Sequence, residues 1–240
     1  MVPVFRRIRK QLASENRVGK YLRYAIGEII LVVIGIVIAL QINTWKNERQ
    51  NRSLEKVYLQ NLKKDMLLQI DINNDQNDYE RRVISKTDSA LTFLDNKITV
   101  RKLVELLNFS TGRHTFVANN VTFKNMGSTG NAVNIKKSEI LNELIRYNQL
   151  LEYTMMVINN NNYEIVDGQF GHFVINNDLG LSLDENNNMV KEKAWSGEER
   201  FLLSEQLRRR KLISSIIIQR VDFLTLETNK LIEEIDSYLK

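Results

Sequence analysis

An uninterrupted apolar run near the N-terminus constrains this chain more than any other feature. From Ala25 to Ile42 the sequence reads AIGEIILVVIGIVIALQI, with Glu28 as its one ionisable residue. At about 1.5 Å per residue this run rises roughly 27 Å as a helix, close to the roughly 30 Å hydrocarbon core of a bilayer. A buried helix of a soluble protein is rarely apolar on every face over this length. The run therefore predicts a transmembrane helix over residues 24–44.

The residues that flank this run favour a retained anchor. Tyr21, Tyr24 and Trp45 are predicted interface anchors, since their apolar rings and polar tips suit the lipid–water boundary. The alternative is a cleaved signal peptide, whose apolar core is usually shorter and ends in small residues. Here Ala39 is followed by Leu40 and Gln41, a poor match to a cleavage site.

The positive charge of the chain is concentrated before the apolar run. Seven of the 34 Lys and Arg residues, but one of the 29 acids, lie in residues 1–23, which leaves a nearly neutral remainder. The positive-inside bias predicts a cytoplasmic tail over 1–23 and an extracytoplasmic domain over 45–240. So short a tail cannot hold a folded output domain. It either binds anionic headgroups or serves as a topology signal alone.

One face of the predicted span carries small residues that permit close helix packing. Helical geometry brings the following residues within about 40° of one line: Glu28, Val32, Gly35, Ala39 and Ile42. Small residues four apart let two membrane helices approach closely. This small-residue face predicts a homo-oligomer or contact with another membrane protein, although Gly and Ala are also common in spans that make no such contact.

Glu28 has two interpretations. A carboxylate in lipid must pair, become protonated or reach the interface. Near the start of the helix it is favoured by the helix dipole and lies close to Lys20 and Arg23. The alternative is an ion- or proton-binding carboxylate, as in single-span subunits of ion-driven motors; whether Glu28 is ionised stays open.

The region after the span is predicted to be mostly helical. From Thr44 to about Asn96 there is no Pro or Gly, and apolar residues recur at helical spacing. We expect the span to continue outward into this helix, with a break possible in the polar stretch 71–78. A short helix is expected over 99–108 with Thr99 as its cap, and a longer one over about 139–159 with Ser138 as its cap. Segments 110–137 and 160–195 are rich in Gly and Asn and are predicted to be mainly loops, with a hairpin near 181–190.

The last helix is predicted from Ser196 to about Tyr238. Ser196 and Glu199 form a capping box. Steps of three and four define a heptad seam through Leu203, Leu207, Arg210, Ser214, Ile217, Val221, Leu224, Thr228, Leu231, Ile235 and Tyr238. The residues of this seam pack either against other helices of the same chain or against a second subunit. The predicted fold is mainly α, with one transmembrane helix continuing into an elongated extracytoplasmic antiparallel helical bundle.

The sequence contains no recognisable catalytic or cofactor motif. There is no Cys, and His114 and His172 have no ligand spacing or third partner. The basic run Arg208–Lys211 points in several directions on a helix, so a solvated helix is favoured over a nucleic-acid site. We therefore predict no catalytic, cofactor-binding or metal-binding residues, no nucleic-acid partner and no enzyme activity.

Two stretches resemble a family of uncharacterised bacterial single-span inner-membrane proteins. They are residues 24–45, YAIGEIILVVIGIVIALQINTW, and residues 122–147, TFKNMGSTGNAVNIKKSEILNELIRY. The second stretch matches a phrase at Thr122, Phe123, Ser128, Thr129, Gly130, Asn131, Ile135, Lys136, Leu144 and Tyr147. Departures are Asn148, where a second Tyr is common, and Thr44-Trp45-Lys46, where Asn-Trp-Asn is common. The resemblance implies an inner-membrane protein of unknown function and carries over no catalytic residues.

Three functions remain as hypotheses. The first is a membrane-anchored, non-enzymatic helical protein that acts in assembly or partner binding at the bacterial inner membrane, with its N-terminus cytoplasmic and its C-terminal domain periplasmic. The second is an extracytoplasmic ligand-sensing bundle that uses loops 110–130 and 160–195 and works with a separate signalling partner. The third is an accessory subunit of an ion-driven motor that uses Glu28.

Overall fold

A computed structural model describes residues 18–94, 106–107, 109–177 and 196–240. Every element of regular structure within these ranges is a helix, which confirms the mainly α fold class. Residues 1–17 of the basic tail, the Thr99 cap, the 181–190 hairpin and the side chain of Tyr21 lie outside the described residues. The chain divides into two compact units, residues 1–55 and 56–240, which we call the inner and outer units in chain order.

The first helix, α1, runs without interruption over Val18–Leu94. Its N-terminal part is long and apolar enough to cross a membrane, and the helix continues past the apolar run as predicted. The break expected at 71–78 is wrong. Asn73 and Gln76 point into the outer unit and are fully buried there, so the polar stretch belongs to a packed helix face.

The segment 110–137 is less irregular than its glycines suggest. After a stretch without regular structure over 112–120, helix α2 covers Val121–Thr129 and a 3-10 turn covers Asn131–Asn134. Gly127 lies inside α2, where a side chain would meet nothing within 4 Å. Gly130 alone acts as a terminator: its φ of 71° is left-handed, and its N–H donates to the carbonyls of Met126 and Gly127.

Helix α3 covers Ser138–Asn161 and continues into a π-helix, Asn162–Phe170, and a short helix α4, Gly171–Asn176. The predicted loop is therefore wrong over 160–176. A Cβ at Gly168 or Gly171 would lie 3.2 Å from a carbonyl oxygen five residues earlier. Glycine avoids this close contact in the π-helix. Ser138 is the first helical residue rather than the cap, because Lys137 holds the cap position.

The last helix, α5, covers Gly197–Leu239 and begins with the predicted capping box. The Ser196 Oγ accepts from the Glu199 N–H at 3.1 Å, and Glu199 Oε2 accepts from the Ser196 N–H at 2.9 Å. All seam residues up to Ile235 are buried within this single chain, whereas Tyr238 is exposed. The periodicity thus identified the buried face of α5 along nearly its whole length.

Within the outer unit, α5 runs antiparallel to the second half of α1. Lys63 pairs with Asp236 at 2.6 Å, near one end of the contact. Asp88 pairs with Lys211 at 2.6 Å, near the other end. The main core of this unit combines Leu59, Leu62 and Met66 of α1 with apolar residues of α3 and α5. Burial of each such side chain contributes roughly 1.5–3 kcal/mol to folding.

Candidate functional site

The most unusual feature of the outer unit is a buried ion pair between α1 and α5. Glu80 is 0% exposed and Arg210 is 1% exposed. Arg210 Nη1 lies 3.2 Å from Glu80 Oε2. Removing two charges from water is expensive, and the pair repays this only when further hydrogen bonds satisfy its remaining atoms.

Ser214 and Gln76 add hydrogen bonds to the pair and complete what we call the Glu80–Arg210 layer: Glu80, Arg210, Ser214 and Gln76. Arg210 Nη2 is also buried and has no hydrogen-bond partner among the described residues. The Ser214 hydroxyl accepts from Arg210 Nη1 at 2.7 Å and donates to Glu80 Oε2 at 2.6 Å. Gln76 Nε2 donates to the other carboxylate oxygen, Oε1, at 3.0 Å. Both oxygens of Glu80 are therefore occupied by protein donors.

The layer also holds the backbone at Ser110, which lies in a short helical stretch over residues 109–111. Arg210 Nε donates to the Ser110 carbonyl at 3.3 Å, and the hydroxyls of Ser110 and Thr87 lie 2.9 Å apart. Its groups thus hold three parts of the chain in one register. The arrangement is structural, since its hydrogen bonds join α1, α5 and the backbone at Ser110.

His114 and Tyr79 border this layer on its less buried side. The His114 Nδ1 lies 3.1 Å from Gln76 Oε1; the oxygen is an acceptor, so Nδ1 is the donor. The rings of Tyr79 and His114 have centroids 5.4 Å apart. Burial raises the pKa of Tyr79, and the positive charge of nearby Arg210 works in the opposite direction.

Residues 112–120, which have no regular secondary structure, form what we call the strap, and amide side chains hold its backbone. Asn159 accepts from the Phe116 N–H at 3.1 Å and donates to its carbonyl at 3.0 Å. Gln69 accepts from the Asn119 N–H at 2.7 Å, and Asn162 donates to the His114 carbonyl at 3.0 Å. These bonds satisfy backbone groups that lack a helix or sheet partner. They also bring parts of the two predicted recognition segments, 110–130 and 160–195, together.

A second set of buried polar contacts lies on the N-terminal side of this layer, over residues 69–77 of α1. Gln69 Nε2 donates to Asn73 Oδ1 at 2.9 Å, and Asn73 Nδ2 donates to Thr225 Oγ1 at 2.9 Å. Asn77 Nδ2 donates to Asp222 Oδ1 at 2.7 Å. Sequence reasoning missed these residues because it treated polarity as a break. The usable signal was the spacing of three and four, which continues the buried stripe of α1 through polar positions.

The structure corrects the prediction for one basic residue of α5 and shows where the two histidines lie. Arg208 and Arg209 are exposed, as expected of a solvated run, but Arg210 is buried and the prediction for it is wrong. His114 joins the polar contacts, whereas His172 is exposed on α4. Within the described ranges, no group of three or more His, Asp or Glu side chains could hold a metal ion.

The predicted small-residue face lies along α1 and is exposed at every position except Glu28. Val32 and Ile42 are 57% and 61% exposed, and a side chain at Gly35 would meet nothing within 4 Å. Ala39 is exposed, and Glu28 is partly buried and has an interaction partner. The anchors Tyr24 and Trp45 are also exposed.

Comparisons with known proteins place the sequence in an uncharacterised group. The model of a family of unknown function, DUF6090, matches residues 28–194. No curated protein and no solved structure matches the chain significantly. The match includes most of the apolar run, the strap, α2 and α3.

Proposed function

We propose that this chain, which belongs to the family of unknown function DUF6090, is a non-enzymatic membrane-anchored protein that acts in assembly or partner binding at the bacterial inner membrane. One observation carries this proposal. None of the residues in the apolar window of α1 is buried. So many exposed apolar side chains in succession need lipid, or another membrane helix, to cover them.

The proposed topology has residues 1–23 in the cytoplasm and residues 45–240 in the periplasm as an elongated antiparallel helical bundle. The charge distribution supports this orientation, because the cations of the tail are almost undiluted by acids. Protease added outside the inner membrane tests it: the periplasmic part is digested if the proposal holds.

The Glu80–Arg210 layer supports a binding or assembly role rather than chemistry. Its carboxylate and guanidinium bond one another and Ser214, so they hold helices in a fixed register. Buried polar groups that define one packing are best attested as devices of specificity. The outer unit would then present a rigid surface to a partner.

We propose further that Gly35 and Ala39 form a self-association face in the membrane. The test is crosslinking of the full chain in native membranes, comparing the wild type with Gly35→Leu. Gly27→Leu is the matched control, because Gly27 also has open space around it and lies about 80° away from Gly35 on the helix. A loss of oligomer in Gly35→Leu alone supports the face; equal yields in all three proteins reject it.

A second candidate function is ligand sensing with a separate signalling partner. The contact between the strap and residues 159–167 favours it, since the two predicted recognition segments meet there. Arg113 of the strap also pairs with Asp167 of the π-helix. Purification from gently solubilised membranes separates the candidates: a signalling protein recovered with the chain supports sensing, and the chain recovered only with itself supports assembly.

A further inference from the structure

The first turns of α1 beyond the apolar run carry an aromatic and two arginines on one face. Trp45, Arg49 and Arg52 follow one another at steps of four and three, which keeps them within about 60° around the helix. We propose that these three residues form a binding site for the phosphate of an anionic membrane lipid. This inference rests on the membrane anchoring proposed above and adds a ligand to it.

Helix geometry places Trp45 and Arg49 at headgroup depth, whereas the Arg52 Cα lies about 15 Å above the apolar run and its side chain reaches back toward the outer edge of the headgroup layer. Trp45 lies three residues past Ile42, or about 4.5 Å above the end of the apolar run, and the Arg49 Cα lies about 10 Å above it. The headgroup layer extends roughly 5–8 Å beyond the hydrocarbon. Side chains on a helix tilt toward its N-terminus, so the Arg49 side chain reaches back into this layer.

A cation–π contact confirms that direction for Arg49. Its guanidinium carbon lies 5.9 Å from the centroid of the Trp45 ring, within the range of such contacts. Trp45 is 63% exposed, so its ring supports the guanidinium on one side and remains open to lipid on another. The contact orders the Arg49 side chain before any lipid binds, which reduces the entropy lost on binding.

The two arginines have donors available for a phosphate. Neither Arg49 nor Arg52 forms an ion pair within the described ranges, and both are exposed. The guanidinium presents a planar fork of donors that matches two phosphate oxygens. A lipid phosphate suits the site better than a free phosphate, because the acyl chains would lie along the exposed apolar surface just below Trp45.

The test uses the full-length protein in nanodiscs that contain phosphatidylcholine and a minor share of phosphatidylglycerol. Native mass spectrometry then counts the phosphatidylglycerol retained on the released protein. We expect Arg49→Ala to weaken retention about tenfold, because it removes charge-assisted hydrogen bonds to the phosphate as well as a positive charge. Arg49→Lys keeps the charge but loses the fork and should lie in between.

Lys46→Ala is the matched control, because it removes one positive charge about 100° away from Trp45 at almost the same depth. Retention close to that of the wild type supports the site, and a loss equal to that of Arg49→Ala overturns it in favour of a general charge effect. Inorganic phosphate that displaces the lipid at millimolar concentration would also overturn the lipid assignment. Flotation of the same variants with liposomes distinguishes failure of this site from failure of membrane anchoring.

Discussion

The inner and outer units are both helical, but one exposes apolar side chains and the other buries polar ones. In the inner unit, apolar side chains such as Leu31 and Leu40 lie on the outside of α1 and are more than 60% exposed. In the outer unit, Glu80, Gln76 and Asn73 lie inside and are fully buried. The comparison shows that helix formation alone specifies neither environment. The inner unit needs an apolar solvent, whereas the outer unit needs internal partners for its polar groups.

The largest predicted effect comes from breaking the ion pair of the outer unit. Arg210→Met leaves the Glu80 carboxylate buried without its counter-charge, so the free energy of unfolding should fall by about 3–5 kcal/mol. Urea unfolding of the outer unit in detergent, followed by circular dichroism, measures this. Arg208→Met is the control: Arg208 pairs with Glu205 at 2.7 Å on the surface, and its loss should change stability by less than about 1 kcal/mol.

The double variant Glu80→Leu/Arg210→Met sharpens the same point. Removing both charges avoids the unpaired carboxylate, so most of the stability lost in Arg210→Met should return. A double variant as unstable as Arg210→Met would contradict the description of the layer as a mutually compensated pair.

Two leucines of α5 provide a matched test of which face is buried. Leu224 is 0% exposed and Leu226 is 52% exposed, two positions apart on one helix. Leu224→Ala should lower the free energy of unfolding by about 2–5 kcal/mol because it opens a cavity. Leu226→Ala should change it by less than about 0.5 kcal/mol in the isolated protein. Equal losses for the two variants would mean that the assigned seam is wrong.

Alkaline pH should destabilise the outer unit through Tyr147. Burial raises the pKa of Tyr147 from 10.0 to about 12. Because the folded state favours the neutral phenol, the stabilisation is complete below pH 10 and is lost as the pH rises toward 12. This loss amounts to about 2–3 kcal/mol. Urea midpoints measured across this window should fall less steeply for Tyr147→Phe, and parallel falls in both proteins would exclude Tyr147 as the cause.

The smallest predicted effect concerns the start of α5. Ser196→Ala removes the side chain that accepts from the Glu199 N–H, so stability should fall by about 0.5–2 kcal/mol. Hydrogen exchange should show the loss in the first turn of α5, with little change at Leu224. A change spread evenly along the helix would contradict a local cap.

The sequence predicted one side of the buried polar layer and missed the other. The heptad seam placed Arg210 and Ser214 on the inner face of α5, because apolar residues on both sides define the period. The basic run 208–211 gave the opposite prediction for Arg210, and the seam was right. Glu80 and Gln76 were missed, since few apolar neighbours mark the stripe there and polarity suggested a break. Gly168 and Gly171 were misleading for a different reason: glycine permits both a loop and a π-helix, and only packing against the strap decides between them.

The central claim is that α1 anchors the chain in the inner membrane while residues 45–240 face the periplasm. Its most direct test is carbonate extraction of cell membranes combined with protease treatment of intact spheroplasts. The account predicts a protein that stays in the membrane pellet and loses residues 45–240, which are most of its mass, to external protease. Recovery of the protein in the aqueous fraction, or protection of its bulk in intact spheroplasts, would contradict it.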